Sequence, residues 1–226
     1  MRLQVERGEA GLRVSMTPVE LLTNGPEAAP TMVALAHGAG GPMDSPFMTR
    51  VATGIAAAGV RVVRFEFPYM EARRRGGRSG PPDPEPVLRR RWLDVIAQLG
   101  GGARLVIGGK SLGGRMASLI ADEAGARGLV CLGYPFHPPG QPQRPRTAHL
   151  EHLRTPALLV QGTRDRFGSR DEVRGYQLSS RIRLGWIEDG DHSLKPRARS
   201  GRSEEEALGE AVALVTAFLA ELGVRS

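Results

Sequence analysis

Three polar residues, far apart in the sequence, could together make a serine hydroxyl nucleophilic. Ser111, Asp165 and His192 occur in that order, and each follows a short apolar run typical of a buried strand. A serine hydroxyl is a weak nucleophile at neutral pH and needs an adjacent base. An imidazole, with a pKa of about 6.5, can accept this proton and return it. An aspartate would hold the imidazole in the correct tautomer and stabilise its charged form.

The strongest pattern around these residues is a strand, a sharp turn and a helix. An apolar run at 105–107 favours a buried strand, and the spacing of apolar residues over 112–121 favours a helix. Between them, Gly109-Lys-Ser-Leu-Gly113 matches G-x-S-x-G. Because its glycines lack a Cβ, strand and helix can approach closely and the serine can adopt a strained backbone. The motif predicts an exposed hydroxyl beside a helix N-terminus, which favours negative charge.

The same residues partly match a phosphate-binding loop, which is a different kind of site. Gly109-Lys110-Ser111 corresponds to the end of G-x-x-x-x-G-K-S, but that pattern needs a glycine five residues earlier, where Arg104 stands. The loop would also be too short, because Ile107 still belongs to the apolar run. We therefore favour the nucleophile interpretation.

The elements that must position these residues alternate between strand and helix from residue 31 onwards. This alternation predicts an α/β fold with a mostly parallel central sheet and helices on both faces. With 226 residues, the chain is expected to form a single domain, 1–226. The predicted strands are at 3–5, 12–22, 31–36, 60–65, 105–107, 129–132, 156–160 and 182–187. The predicted helices are at 46–58, 87–99 and 112–121, with two more that open at the capping boxes 169–172 and 203–206.

Two proline-rich segments, 68–86 and 134–153, are predicted to be irregular. Long loops in compact domains are usually functional or mobile, so we expect both near the active site. The second segment contains His137, His149 and His152, but their spacing does not fit a metal site. We expect neither a metal nor a cofactor.

The loop His37-Gly-Ala-Gly-Gly41 follows another predicted strand, so it should lie at the same edge of the sheet as Ser111. Backbone N–H groups there could stabilise the oxyanion of a tetrahedral intermediate. We expect the Leu112 N–H to be one donor and the Ala39 N–H to be the other, with Gly40 as the alternative.

Taken together, these segments resemble the α/β-hydrolase superfamily, and most closely its small dienelactone-hydrolase-like branch of predicted serine hydrolases. The resemblance runs from the loop at His37 through the G-x-S-x-G motif and Gln161-Gly-Thr-Arg-Asp165 to Gly190-Asp-His192. It implies the α/β-hydrolase fold and hydrolysis of an ester or thioester of a small-molecule acyl substrate through an acyl-serine intermediate. Dienelactone hydrolase itself has a cysteine nucleophile. Some relatives are subunits of chromatin complexes, so the alternative is a catalytically silent interaction module.

Several residues could line the substrate pocket. His37 is also expected to hydrogen-bond the oxyanion loop. Lys110 and Arg115 lie beside the nucleophile, and either could be exposed, ion-paired or a ligand for an acidic substrate group. The pocket candidates are His37, Gly40, Phe47, Met48, Tyr69, Lys110 and Phe136.

The chain carries a net charge of +7, and its isoelectric point is about 10.6. The charge alone gives low support for nucleic-acid binding. The arginine runs 73–75 and 89–91 add little, because they lack interleaved aromatic residues that could stack on bases. The single cysteine, Cys131, excludes an internal disulfide bond. No apolar run approaches the ~20 residues of a membrane span, and the first residues lack the apolar run of a signal peptide. We expect a cytoplasmic protein.

Overall fold

The computed structural model describes residues 18–77 and 80–224. Seven strands lie within this part of the chain: β1 (Leu21–Asn24), β2 (Met32–Ala36), β3 (Arg61–Phe65), β4 (Leu105–Lys110), β5 (Gly128–Leu132), β6 (Ala157–Gly162) and β7 (Ile182–Ile187). They form one sheet in the order β1-β3-β2-β4-β5-β6-β7. Strand β1 runs antiparallel to β3, and all other neighbours are parallel. The predicted mostly parallel sheet is therefore confirmed.

Helices cover both faces of the sheet. They are α1 (Pro46–Ala57), α2 (Pro68–Arg74), α3 (Glu85–Gln98), α4 (Leu112–Ile120), α5 (Arg170–Val173) and α6 (Glu204–Val224). Because successive residues of a strand point to opposite sides, the strands bury apolar side chains on both faces. On β4, Ile107 packs with α3 and α4, whereas Val106 packs with α1 and α6. Within residues 18–77 and 80–224, no helix is both long and apolar enough to cross a membrane.

Both predicted capping boxes form. Ser169 accepts a hydrogen bond from the Glu172 N–H at the start of α5, and Ser203 accepts one from the Glu206 N–H at the start of α6. Ser45 occupies the N-cap position of α1, but its side chain makes no capping hydrogen bond. The starts of α5 and α6 were therefore predictable from local sequence.

The prediction of one irregular segment over 68–86 is wrong. Residues Pro68–Arg74 form α2, and α3 already begins at Glu85. Pro68 suits the first helical position, because its fixed φ is helical and no N–H is needed there. By contrast, 134–153 is irregular as predicted, apart from one short 3-10 turn. Of the predicted strand 12–22, the structure describes residues 18–22, of which residues 21 and 22 belong to β1. The predicted strand 3–5 and residues 12–17 lie outside the described residues.

Candidate active site

Ser111 lies in the sharp turn between β4 and α4. Its backbone has φ 49° and ψ −111°, a conformation that side-chain-bearing residues rarely adopt and that costs energy to maintain. Strand and helix pass so close to β2 that a Cβ at Gly109 or Gly113 would collide with the carbonyl oxygen of Ala36. These two glycines therefore allow the turn that holds Ser111 at the carboxyl edge of the sheet.

A continuous chain of hydrogen bonds links the three polar residues singled out in the sequence. His192 Nε2 lies 2.8 Å from Ser111 Oγ, and His192 Nδ1 lies 2.8 Å from Asp165 Oδ2. With Nδ1–H donating to the carboxylate, Nε2 is left to accept the serine proton. This arrangement is the one required for general-base activation of a hydroxyl.

The Asp165 carboxylate is completely buried, and each of its oxygens accepts hydrogen bonds. Oδ1 accepts from the Phe167 N–H at 2.8 Å. Oδ2 accepts from the side-chain amide of Gln161 at 2.8 Å, in addition to His192. Gln161 is itself fixed, because its Oε1 accepts from the Tyr134 N–H at 2.7 Å. The carboxylate is thus held in one orientation by β6 and by the loop that follows it.

The two other acidic residues close to His192 are engaged elsewhere. Asp189 pairs with Arg164 and Arg197, and the hydrogen bonds from Arg197 hold the pKa of this carboxyl well below its usual range. Asp191 accepts from the backbone N–H groups of residues 193 and 195. Asp165 is therefore the carboxylate that contacts the imidazole, as the sequence order predicts.

The side chains of His37 and Tyr69 hydrogen-bond the backbone of the loop 37–41, which follows β2. Burial lowers the pKa of His37, and its Nε2 accepts from the Phe67 N–H while Nδ1–H donates to the carbonyl of Gly38 at 2.6 Å. The Tyr69 hydroxyl donates to the carbonyls of Gly38 and Ala39 at 3.4 and 3.2 Å. In a trans peptide unit the N–H points opposite to the C=O. The Ala39 N–H therefore points away from Tyr69.

A cleft of about 360 Å³ opens above Ser111. Its lining contains one cationic side chain and no carboxylate, and two aromatic rings and a methionine supply apolar surface. The lining residues are Gly38, Ala39, Gly40, Gly41, Ser45, Phe47, Met48, Lys110, Ser111, Phe167, His192 and Ser193. Such a cleft is small and mostly apolar, with a few polar groups at one end, which suits a small organic ligand.

A sequence profile of the alpha/beta hydrolase domain family matches residues 29–220. The chain belongs to this family. Solved structures that share the α/β-hydrolase fold with this chain include the following three. A serine hydrolase homologue from Coxiella burnetii is 18% identical with a TM-score of 0.64, covering 94% of each chain. A lidless serine hydrolase from Xanthomonas campestris is 20% identical with a TM-score of 0.63, covering 85% of each chain. A dienelactone hydrolase from Anabaena variabilis is 22% identical with a TM-score of 0.63, covering 90% of this chain and 92% of that one.

In this α/β-hydrolase, three of the predicted pocket residues do not line the cleft. The side chains of His37 and Tyr69 hydrogen-bond the backbone carbonyls of the loop 37–41, as described above. Phe136 is fully buried and packs on Gly168 and against the Tyr176 ring, so it supports the loop after β6 from below. Gly40, Phe47, Met48 and Lys110 do line the cleft.

Two residues of the site were not predicted from the sequence. The Phe167 ring lies 4.2 Å from the His192 imidazole, measured between ring centroids. Phe167 lies only two residues after Asp165, and this proximity was the available signal. Glu66 is buried and accepts from the Met43 N–H at 3.2 Å. Arg74, on the unpredicted helix α2, bridges Glu66 to Asp44. This ion-pair network fixes the segment that follows the loop 37–41.

The two cations next to the nucleophile differ in their environments. Arg115 forms an ion pair with Glu85 at 2.9 Å, which is one of the roles expected for it. Lys110 instead donates to the backbone carbonyl of His192, and its ammonium lies over the ring of Phe47.

The remaining histidines lie outside the cleft lining: His137 lies beside Glu172, and His149 bonds to Ser118 at 2.8 Å. Within residues 18–77 and 80–224, no group of three His, Cys, Asp or Glu side chains is arranged to hold a metal ion.

Proposed function

We propose that this α/β-hydrolase cleaves a carboxylic ester or thioester through an acyl-serine intermediate. The observation that carries the proposal is the hydrogen-bonded chain from Ser111 Oγ through His192 to Asp165, with 2.8 Å at both steps. The strained backbone of Ser111 supports the same conclusion, because strain of this kind is concentrated at functional sites.

In the first half-reaction, Ser111 Oγ attacks the substrate carbonyl carbon while its proton passes to His192 Nε2. The imidazolium then gives this proton to the leaving alkoxide or thiolate, and the acyl group stays on the serine. In the second half-reaction, His192 takes a proton from water while the water oxygen attacks the carbonyl carbon of the acyl-serine. The imidazolium then returns this proton to Ser111 Oγ as the bond between Oγ and the acyl carbon breaks, and the acid is released. Asp165 stays ionised throughout, holds the tautomer and stabilises the imidazolium.

The oxyanion of each tetrahedral intermediate needs hydrogen-bond donors. We assign this role to the N–H groups of Leu112 and Ala39, neither of which donates to another group in the part of the chain that the structure describes. Leu112 is the first residue of α4, so the positive end of the helix dipole adds to the stabilisation. The Gly40 N–H is the alternative to Ala39.

The cleft volume of about 360 Å³ lies near the lower end of the range for small-molecule sites, which supports a small acyl substrate. No step requires a cofactor.

A fluorophosphonate probe tests the proposal directly, because it reacts only with an activated serine. The hydroxyl displaces fluoride from phosphorus and forms a stable phosphonate ester. We expect stoichiometric labelling of the folded protein and, by peptide mass spectrometry, a modification at Ser111. Turnover of nitrophenyl esters and acyl thioesters of different chain lengths would then define the acyl group. Folded protein that neither reacts with the probe nor hydrolyses any of these substrates would favour the silent interaction module.

Tyr69→Phe should lower kcat about tenfold with little change in KM, because the loop carrying the Ala39 N–H loses the hydroxyl that holds its carbonyls. The effect should be smaller than the roughly 10²-fold loss that follows removal of an oxyanion donor itself. Steady-state kinetics on the best ester substrate would measure it. Tyr176→Phe is the matched control, since this ring stacks on Phe136 away from the loop. Equal kcat values for the two variants would contradict the assignment.

A further inference from the structure

Lys110 is the last residue of β4 and directly precedes the nucleophile, yet its side chain serves a residue 82 positions away. The ammonium donates to the backbone carbonyl of His192. On another side it lies 5.1 Å from the centroid of the Phe47 ring, a distance typical of a cation–π contact. The cation is therefore held by a carbonyl dipole and an aromatic face.

Gly133 provides independent support for this contact. It follows β5 with φ +67°, and a Cβ at this position would lie 2.6 Å from the His192 carbonyl oxygen and 2.9 Å from Lys110 Nζ. Any other residue would occupy the point where the ammonium meets the carbonyl. The absence of a side chain at Gly133, directly after β5, thus leaves room for the hydrogen bond between Lys110, at the end of β4, and the His192 carbonyl.

The segment that carries His192 needs such a contact, because its backbone is strained on both sides of the histidine. Asp189 and Leu194 have φ values of 56° and 62°, which cost energy in residues other than glycine. The Asp191 side chain fixes the N–H groups of residues 193 and 195. For the His192 carbonyl itself, the Lys110 ammonium is the hydrogen-bond donor among residues 18–77 and 80–224.

We propose that Lys110 is a positioning residue for catalysis: by holding the His192 carbonyl, it keeps the imidazole within hydrogen-bond distance of Ser111. The inference rests on the proposed function, since His192 is taken as the general base. It differs from substrate recognition, because the cation acts through the protein backbone. A shift of about 1 Å in a catalytic group can cost roughly 10²-fold in rate, so one backbone contact can matter.

If Lys110 has this role, activity should depend on its protonation state and therefore on pH. Burial lowers the pKa of Lys110 to about 8, although Asp165 and Asp191, the acidic groups that face it, act in the opposite direction. The ammonium is present below this pH and is lost as the pH rises through it. The neutral amine still has N–H donors but bonds more weakly than an ammonium. Activity should therefore fall about twofold to fivefold on the alkaline side, without complete loss.

The test compares Lys110→Met and Lys110→Arg with the wild type on a neutral nitrophenyl ester from pH 6 to 10. Lys110→Met should lower kcat by about tenfold to hundredfold, leave KM within about twofold, and abolish the alkaline decrease near pH 8. Lys110→Arg should retain more activity and also lose the alkaline decrease, because arginine stays charged over this range. The matched control is Arg115→Met, which removes a cation four residues after Ser111 that pairs with Glu85.

Three outcomes would overturn the inference: Lys110→Met with unchanged kcat, a raised KM as its main effect, or a loss equal to that of Arg115→Met. If Lys110→Met does not fold, Lys110→Arg decides alone, since a wild-type alkaline decrease preserved in this variant contradicts the role. Gly133→Ala should lower kcat in the same way without changing the lysine. A wild-type protein inert to esters and to the fluorophosphonate would instead refute the proposed function itself.

Discussion

Ser111→Ala should abolish ester turnover while leaving the fold intact. The substitution removes the atom that would form the covalent intermediate, and water in the site cannot replace a positioned hydroxyl. We expect kcat to fall by about 10⁴-fold or more, the scale seen when a catalytic serine is removed. Because Ser111 Oγ bonds only to His192 in the described structure, the melting temperature should change little. Steady-state kinetics and a thermal melt measure the two effects separately.

Helix α4 offers a matched control for this variant. Ser118 lies on this helix, which begins directly after Ser111, and it also bonds to a histidine, with its hydroxyl 2.8 Å from His149 Nε2. Burial lowers the pKa of His149 to about 4, so this histidine is neutral at physiological pH. Ser118→Ala should retain wild-type kcat and wild-type labelling by the fluorophosphonate. A Ser111→Ala variant with more than about a hundredth of wild-type activity would contradict the acyl-serine mechanism.

The proximity of Ser111, Asp165 and His192 follows from a rule that needs no atomic detail. Parallel strands place their carboxyl ends at the same edge of a sheet. The three residues follow β4, β6 and β7, which lie in one half of the sheet, with β5 between β4 and β6. Their order in the sequence therefore sufficed to predict that they meet. Their catalytic roles stay predictions until the variants are measured.

The rule about strand ends did not place Tyr69 and Phe136, which were wrongly predicted to line the pocket. The position of Tyr69 depends on α2, a seven-residue helix whose first turn starts at a proline and whose polar face is made of arginine and glutamate. A segment so short has too few apolar residues for its periodicity to be recognised. Phe136 lies in an irregular segment, and periodicity says nothing about which way such a residue points. Both therefore had to be located by tertiary packing.

The contact between Lys110 and the His192 carbonyl could not be predicted from the sequence, for a different reason. A lysine beside a nucleophile is compatible with exposure, ion pairing or substrate binding, and its type alone does not distinguish them. The deciding contact involves a backbone carbonyl, which every residue has, and a space left by Gly133. In a chain with 30 glycines, the importance of this one could be recognised only from the structure.

Asp165→Asn should lower kcat by about 10³-fold to 10⁴-fold without preventing covalent chemistry altogether, the scale expected when a histidine is held in the wrong tautomer. In the wild type, Asp165 Oδ2 accepts hydrogen bonds from both His192 and Gln161, while Oδ1 accepts from the Phe167 N–H. Kinetics on the best ester, together with the rate of fluorophosphonate labelling, would measure the loss. Asp171→Asn is the matched control, because this carboxylate is exposed and its ion-pair partner within residues 18–77 and 80–224 is Arg174.

An asparagine cannot satisfy all three of these donors in either orientation. With its NH₂ in the position of Oδ2, it faces two donors, and His192 can accept only through Nδ1, which moves the ring proton to Nε2. The imidazole then presents a donor to Ser111 and cannot take its proton. With its oxygen in that position, the NH₂ opposes the Phe167 N–H, so the loop after β6 must shift and with it the ring that packs on His192. Wild-type kcat in Asp165→Asn would mean that the carboxylate has only a structural role.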